Sequence, residues 1–332
     1  MPPAGRCRLI PDLEHGISPR LDLPERLWHH TGGPIDPWLT LLAALDLDAH
    51  ALLGPSLACD FLGDQWALPW PEPADLDALY GLTVMPLRPW RCVHEHLQEQ
   101  LGAGRLVMIE TDAHALPDTA GDTYRRHHAR TMVIVDEIDL AQRRLGYFHR
   151  AGHFLLQGED FEAVAGPRAA VGAMTAIGVQ ERIRLGPEAL RAQARQQLLR
   201  HRARMPRDNP VQRWERRHRE DLARGRIAEG PEACRAWSDA GLRQLGAATE
   251  LASAHLRWLA QDAADAVALL QAADALWQLS VRARALHLKG EHSGEVRALL
   301  DPAAPFEHMA RHWQQAASLL GTVRLAAADR PA

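Results

Sequence analysis

His128 stands at the entrance of a short apolar run, Thr131–Val135, and that position suits a general base. A neutral imidazole there can take a proton from a thiol, a hydroxyl or a bound amine, provided a partner fixes its tautomer. His149, Asp136 and Asp139 can each supply that partner, and His149 closes the next apolar run, Leu145–Phe148. The plainer reading is that His127 and His128 are two ordinary rim residues.

A second constellation precedes it. Glu110, Asp112 and His114 alternate, so on one strand their side chains share a face. Joined by His128 they could ligate zinc, manganese or iron and support metal-dependent hydrolysis. Carboxylates are equally at home on a solvent-facing strand, and these four residues do not have the HxxxH spacing of a strong metal motif. His94 and His96 fall within an expected helix, where residues two apart point to different sides. The spacing does not call for a metal.

Phe61-Leu62-Gly63-Asp64-Gln65-Trp66 sets a glycine turn before Asp64 and Gln65 as polar anchors and Trp66 as a pocket wall. A capped turn and a core tryptophan account for it equally well. Leu116-Pro117-Asp118-Thr119-Ala120-Gly121 is turn chemistry, from which Asp118 and Asp122 could still project into a site.

The elements that must hold these residues are mixed. The apolar spacing of Trp38, Leu41, Leu42, Leu45, Leu52 and Leu53 predicts a buried helix over 36–53, with Asp36 as its cap and Pro37 opening it. Short helices are expected over Asp75–Tyr80 and Trp90–Leu101. Strands are expected at Thr83–Pro86, Leu106–Ile109, Thr131–Val135, Leu145–Phe148 and Phe154–Leu156, with DEIDLAQRR as a turn. Beyond about residue 165 helices dominate. One opens at Gly186-Pro187, and three amphipathic helices follow, led by Leu242, Leu269 and Phe306, as in an antiparallel bundle. The expected fold is therefore α+β: an irregular lead-in (1–25), an α+β domain with an antiparallel sheet (26–165) and an all-α helical bundle (166–330).

Composition narrows the partners. The 332 residues carry a net charge of -4, and no apolar run approaches the ~20 residues of a membrane span, so neither general nucleic-acid binding nor a membrane is expected. The N-terminus has no apolar core of a secretory signal. Cys7, Cys59, Cys92 and Cys234 lack paired spacing, which fits reduced thiols in a cytoplasm. Arg191–Arg226 holds twelve arginines against four acidic residues. That segment is either a solvated face in an arginine-rich protein or a docking surface for an acidic partner.

Several segments in order carry a resemblance: GDQW at 63–66, LPDTAG at 116–121, YRRHHART at 124–131, RRLGYFHRAG at 143–152, NPVQRW at 209–214 and LRQLGAATELASAHLRWL at 242–259. On these the chain resembles the bacterial DUF1839 family over roughly residues 20 to 325. The amino-terminal half of that family is similar in layout to BtrH-type acyltransferases, which are arranged like papain-like peptidases and move an acyl group from a carrier-protein thioester to an amine. The resemblance implies a papain-like first domain and a role in secondary metabolism. It implies an acidic acyl or aminoacyl carrier protein as partner, with its phosphopantetheine arm as the only cofactor-like group, alongside an amino acid:carrier protein ligase. The implied catalytic histidine is His128, with the orienting position at His149 or its neighbour Arg150. Asp64, Gln65, Trp66, Asp112, Asp118, Tyr124 and Arg125 are the expected substrate-binding residues. Gly33 stands where the family carries a cysteine at a helix start, a place where a thiolate is stabilised. Transfer by direct attack of an amine, with His128 as base and His149 orienting it, needs no such cysteine. A carrier-protein-binding scaffold without catalysis is the alternative.

Overall fold

Three neighbouring strands rich in Val, Ile and Leu form the middle of an antiparallel sheet. They are β6 (Arg105–Asp112), β7 (Arg130–Asp139) and β8 (Arg144–His149). In the computed structural model, residues 6–11, 13, 16–17, 26–68, 70–169, 171–225, 231–261, 263–292 and 303–323 are described. The chain forms two compact units: one of Met1–Asp22, Gly33–Ala49 and Glu72–Leu185, the other of Leu23–Gly32, His50–Pro71 and Gly186–Ala332.

In the first unit the remaining strands are β1 (Cys7–Arg8), β2 (Gly16–Ile17), β5 (Thr83–Leu87), β9 (Gly152–Gln157) and β10 (Met174–Gly178); β3 (Asp60–Phe61) and β4 (Trp66–Ala67) belong to the second unit. The sheet order is β2-β9-β8-β7-β6-β10-β5, with β1 paired to the far end of β7. Pieces of the expected irregular lead-in thus pair into the sheet. So does β10, which lies beyond the expected boundary at 165.

The segment DEIDLAQRR is not simply a turn. Asp136–Asp139 continues β7 through a bulge between Val135 and Glu137, and only Leu140–Arg143 turns. The charges that look like turn residues are buried and paired. Asp136 meets His153 at 2.6 Å, and Glu137 binds Arg6 at 2.8 Å and also Arg144. A buried charge persists only with such partners. Gly146 lies against the bulge, where a Cβ would meet Glu137 Cβ at 2.9 Å.

Helix α1 (Ile35–Ala44) packs on β7, β8 and β9, and helix α3 (Val93–Gly102) on β6 and β7. The expected single helix over 36–53 is divided. Asp46 takes a φ of 55°, and a separate 3-10 helix runs over Ala49–Ala58. Pro34, not Asp36, occupies the cap position of α1, and Asp36 is buried in its first turn. Helices α2 (Pro73–Tyr80) and α4 (Gly158–Ala165) complete the unit.

The second unit is built from α5 (Pro187–Ala203), α6 (Pro210–Ala223), α7 (Pro231–Ser238), α8 (Gln244–Leu259), α9 (Ala266–His292) and α10 (Ala303–Thr322). Ser253 Oγ donates to Ala273 O at 2.8 Å and Ser280 Oγ to Gly246 O at 2.7 Å, a crossed order that makes α8 and α9 antiparallel. Two early segments belong here because their aromatics enter this core. Trp28 and Phe61 pack among Trp214, Leu242, Leu279, Phe306 and Trp313. Gly246 admits the Trp28 ring, since a Cβ there would lie 2.3 Å from Trp28 Cζ2. No helix among the described residues is long and apolar enough to cross a membrane.

Candidate functional site

One end of the three central strands, where β6 ends, β7 begins and β8 ends, gathers a buried polar network. Between β6 and β7 the chain makes a 3-10 turn over Pro117–Thr119. Thr119 pins it, its buried hydroxyl reaching Ala113 O at 3.0 Å and Leu116 O at 2.8 Å. The turn aims Asp118 at β8. Tyr147 donates its hydroxyl to Asp118 Oδ1 at 2.6 Å, and His149 Nδ1 lies 2.6 Å from Oδ2. The other nitrogen, His149 Nε2, lies 2.8 Å from Thr131 Oγ1 on β7.

Burial opposes ionisation of Asp118, but the hydrogen bond and charge of His149, with the Tyr147 hydroxyl, outweigh it and hold the carboxyl below its ordinary value. An ionised carboxylate only accepts, so His149 must carry its proton on Nδ1. In the neutral ring Nε2 is then the acceptor and the Thr131 hydroxyl the donor. Burial, with the charge of Asp118 beside it, pushes the Tyr147 hydroxyl up, so it remains a donor. The His149 and Asp118 side chains are 5% and 1% exposed, whereas Thr131 is only partly buried.

His128 has a different partner from those expected. Its Nδ1 lies 2.5 Å from Asp112 Oδ2, and its side chain is 78% exposed. Asp136 is taken by His153, and Asp139 accepts the Gln142 amide at 2.9 Å. His149 cannot orient His128 by the expected contact because strand alternation separates their surroundings. Thr111 pairs with Thr131 and Asp112 with Arg130, so Asp112 and Thr131 fall on opposite faces. Two histidine–aspartate pairs therefore replace one histidine–histidine pair.

The carboxylate–histidine set Glu110, Asp112 and His114 is not gathered as a metal site. The strand ends at Asp112, and Ala113–Ala115 is a 3-10 turn capped by Asp112, whose Oδ1 accepts the His114 amide at 3.0 Å. His114 instead stacks on the His128 ring at 4.5 Å, and Glu110 pairs with Arg130 at 3.5 Å. Burial raises Asp112, but amides of His114 and Ala129 and the His128 ring hold its carboxyl below the ordinary value. Among the described residues no group of three or more His, Cys, Asp or Glu side chains is arranged to hold a metal ion. His94 and His96 diverge as expected. His94 Nδ1 meets Ala165 O at 3.0 Å, and His96 Nε2 accepts the Trp90 amide at 3.0 Å.

The other expected binding residues have structural partners. Tyr124 OH and the Arg125 guanidinium both bind Asp160 in the first turn of α4, at 3.0 and 2.6 Å. Arg150 pairs with Asp122 at 2.7 Å, and its carbonyl accepts the Thr40 hydroxyl of α1 at 3.0 Å, which fixes the end of β8 beside that helix. Gly33 directly precedes α1. Asp64 and Gln65 are exposed at the tip of the β3–β4 hairpin in the second unit, where Gly63 takes φ 90° and Trp66 packs on Phe61 and Trp214. Cys59 also belongs to that unit, and burial, with the charge of Asp60, pushes its thiol up.

The arginine-rich segment is not a bare cationic face. Arg195 binds Leu259 O and Gln261 O, each at 2.7 Å, and Arg202 reaches Leu320 O at 2.9 Å, so both neutralise helix C-terminal carbonyls. Arg213 pairs with Asp60, and Arg217 with Asp221 at 2.6 Å.

Thr131 and Tyr147 are the members of the network that sequence reasoning does not select. One signal for Tyr147 is its spacing from His149, since residues two apart on a strand share a face. Residues 18–185 match the model of the DUF1839 N-terminal domain, and residues 187–321 match that of the DUF1839 C-terminal domain. No curated protein matches the chain. With two family models in order along most of its length, the chain belongs to the DUF1839 family.

Proposed function

We propose that this protein is a carrier-protein-dependent acyl or aminoacyl transferase-like protein whose first unit has a papain-like arrangement. The observation that carries the reading is the His149–Asp118 pair. A buried carboxylate, fixed by Tyr147, orients an imidazole whose second nitrogen meets a hydroxyl at 2.8 Å. That is the geometry of a general base with its orienter. The packing of α1 on β7, β8 and β9 also supports a papain-like layout.

The base is therefore His149 rather than His128, and Asp118 is its positioning residue. Nε2 takes the proton of the attacking group as it adds to the thioester carbonyl carbon. It returns a proton to the departing pantetheine thiolate, so that a C–S bond breaks as a new acyl bond forms. The phosphopantetheine arm is substrate carrier, not resident cofactor, and an acidic carrier protein loaded by an amino acid:carrier protein ligase is the donor. His128, paired with Asp112 on the other face from Thr131, takes no part in this step.

A non-catalytic scaffold is the second reading, favoured by Gly33 in place of a thiol before α1. Incubation with acyl- and aminoacyl-loaded carrier proteins and a panel of amines separates the two. Amide formation lost in His149→Ala supports transfer. Carrier-protein binding without product supports the scaffold.

A further inference from the structure

We infer that Thr131 is the acyl-accepting nucleophile of this site, forming an oxygen ester that the acceptor amine then resolves; the inference rests on the transferase reading above. Three separate pieces of chain converge to make the arrangement: β7 supplies the hydroxyl, β8 the imidazole, and the Pro117–Thr119 turn the carboxylate. The order is hydroxyl, Nε2, Nδ1, carboxylate, with 2.8 Å at the first contact and 2.6 Å at the second. Tyr147 adds a fourth member that locks Asp118 from its other oxygen at 2.6 Å.

Accessibility follows the same order. Asp118 and His149 are buried, whereas Thr131 is partly exposed near the start of its strand, with fully buried Val133 and Val135 continuing the same face inward. The member that must meet substrate is therefore the outermost one. A threonine serving only to fill Nε2 would need no ionised carboxylate behind the histidine. Tyr147 and Asp118 are the groups a purely structural threonine–histidine contact leaves unexplained.

The chemistry balances without a thiol. His149 Nε2 takes the Thr131 proton as Oγ1 forms a bond to the thioester carbonyl carbon; the C–S bond then breaks, and the thiolate leaves with that proton. The amine next attacks the ester carbon and gives its proton to Nε2. The C–Oγ1 bond breaks, and Oγ1 recovers the proton. Thioester to ester and ester to amide both run downhill, so a hydroxyl suffices where the family expectation is a cysteine at position 33.

The test is acid-quenched intact-protein and peptide mass spectrometry of the full chain after exposure to acetyl- and glycyl-N-acetylcysteamine thioesters. The expected result is one acyl group on Thr131, absent in Thr131→Val, retained in the less hindered Thr131→Ser, and formed about 100-fold or more slowly in His149→Ala and Asp118→Asn. Matching far-UV circular dichroism ensures that folded variants are compared, and the Ser variant keeps the test open if the Val variant does not fold. An unlabelled Thr131 in the wild-type protein, or acylation elsewhere that survives Thr131→Val, overturns the inference. Amide formation at an unchanged rate in Thr131→Val overturns it too, while leaving the transferase reading intact. Acyl-Thr131 that no amine resolves overturns the transferase reading and with it the resolving step, and keeps Thr131 only as the acylated residue.

Discussion

His149 and Asp118 form a buried pair, Nδ1 to Oδ2 at 2.6 Å, in which the carboxylate is held from its other oxygen by Tyr147. Burying a charged group is costly unless its partners repay the lost hydration. Here burial is opposed by the His149 hydrogen bond and charge, and the net effect lowers the carboxyl below its ordinary value. A lowered folded value means the contribution of Asp118 is complete above the unfolded value of about 3.9 and is lost as pH falls through the folded one. Asp118→Asn should therefore lower the unfolding free energy at pH 7 by about 2 kcal/mol, seen as a lower Tm, and the gap to wild type should narrow below about pH 4. Thermal unfolding from pH 3 to 7 checks this, and a gap that widens on acidification refutes it. The same variant should slow transfer at least about 100-fold, because the histidine loses the group that fixes its tautomer.

Gly146→Ala tests the bulge in β7. The new Cβ would meet Glu137 Cβ at 2.9 Å and Asp136 Oδ1 at 3.1 Å, both on side chains that are fully buried. Neither can withdraw without breaking its ion pair, so the strands must part. The expected loss is about 1–3 kcal/mol in denaturant unfolding. A neutral substitution would mean the bulge is softer than its packing implies.

How much of this was legible in the sequence depends on which residues carried the signal. The apolar runs of β6, β7 and β8 and the amphipathic helices after Leu242 expose their periods directly, and the structure has an α+β unit with an antiparallel sheet followed by helices. Asp136 and Glu137 misled, because charge next to an apolar run reads as a turn until His153, Arg6 and Arg144 are known to meet it. His128 and His149 both stood out as candidates. Asp112 and Asp118 stood out too, but as substrate-binding residues and not as the partners of these histidines, because no local pattern shows that the Pro117–Thr119 turn reaches β8 or that Asp112 meets His128. Trp28 and Trp66 belong to a core completed more than a hundred residues later, which no local pattern announces.

Thiol labelling distinguishes the cysteines. Thiolate, not thiol, attacks a labelling reagent, and burial together with the charge of Asp60 pushes the Cys59 thiol well above its ordinary value. Cys7 and Cys92 are partly exposed. Maleimide at pH 8 followed by peptide mapping should modify Cys7 and Cys92 in the native protein and Cys59 only after unfolding. Native labelling of Cys59 at a rate equal to Cys92 would contradict its burial and reopen it as a nucleophile.

Glu250 should give the second unit an opposite pH response. It is 4% exposed and accepts the Leu27 amide at 2.6 Å and the Trp28 amide at 3.3 Å, tying that early segment to α8. Burial raises its carboxyl above the ordinary value, against the lowering effects of Arg26 and the two amides. Between the unfolded value of about 4.3 and the raised folded one, the native state keeps a proton that the unfolded chain has released. Stability therefore falls as pH rises through that window and levels off above it. Glu250→Gln removes the titration while leaving a carbonyl oxygen to accept an amide from Leu27 or Trp28. The Tm of the variant relative to wild type should accordingly rise between pH 4 and 7, the other titrating groups cancelling in the difference. A difference that stays constant over that range, or falls, would mean that Arg26 holds Glu250 ionised in the folded protein and that burial is not the dominant effect.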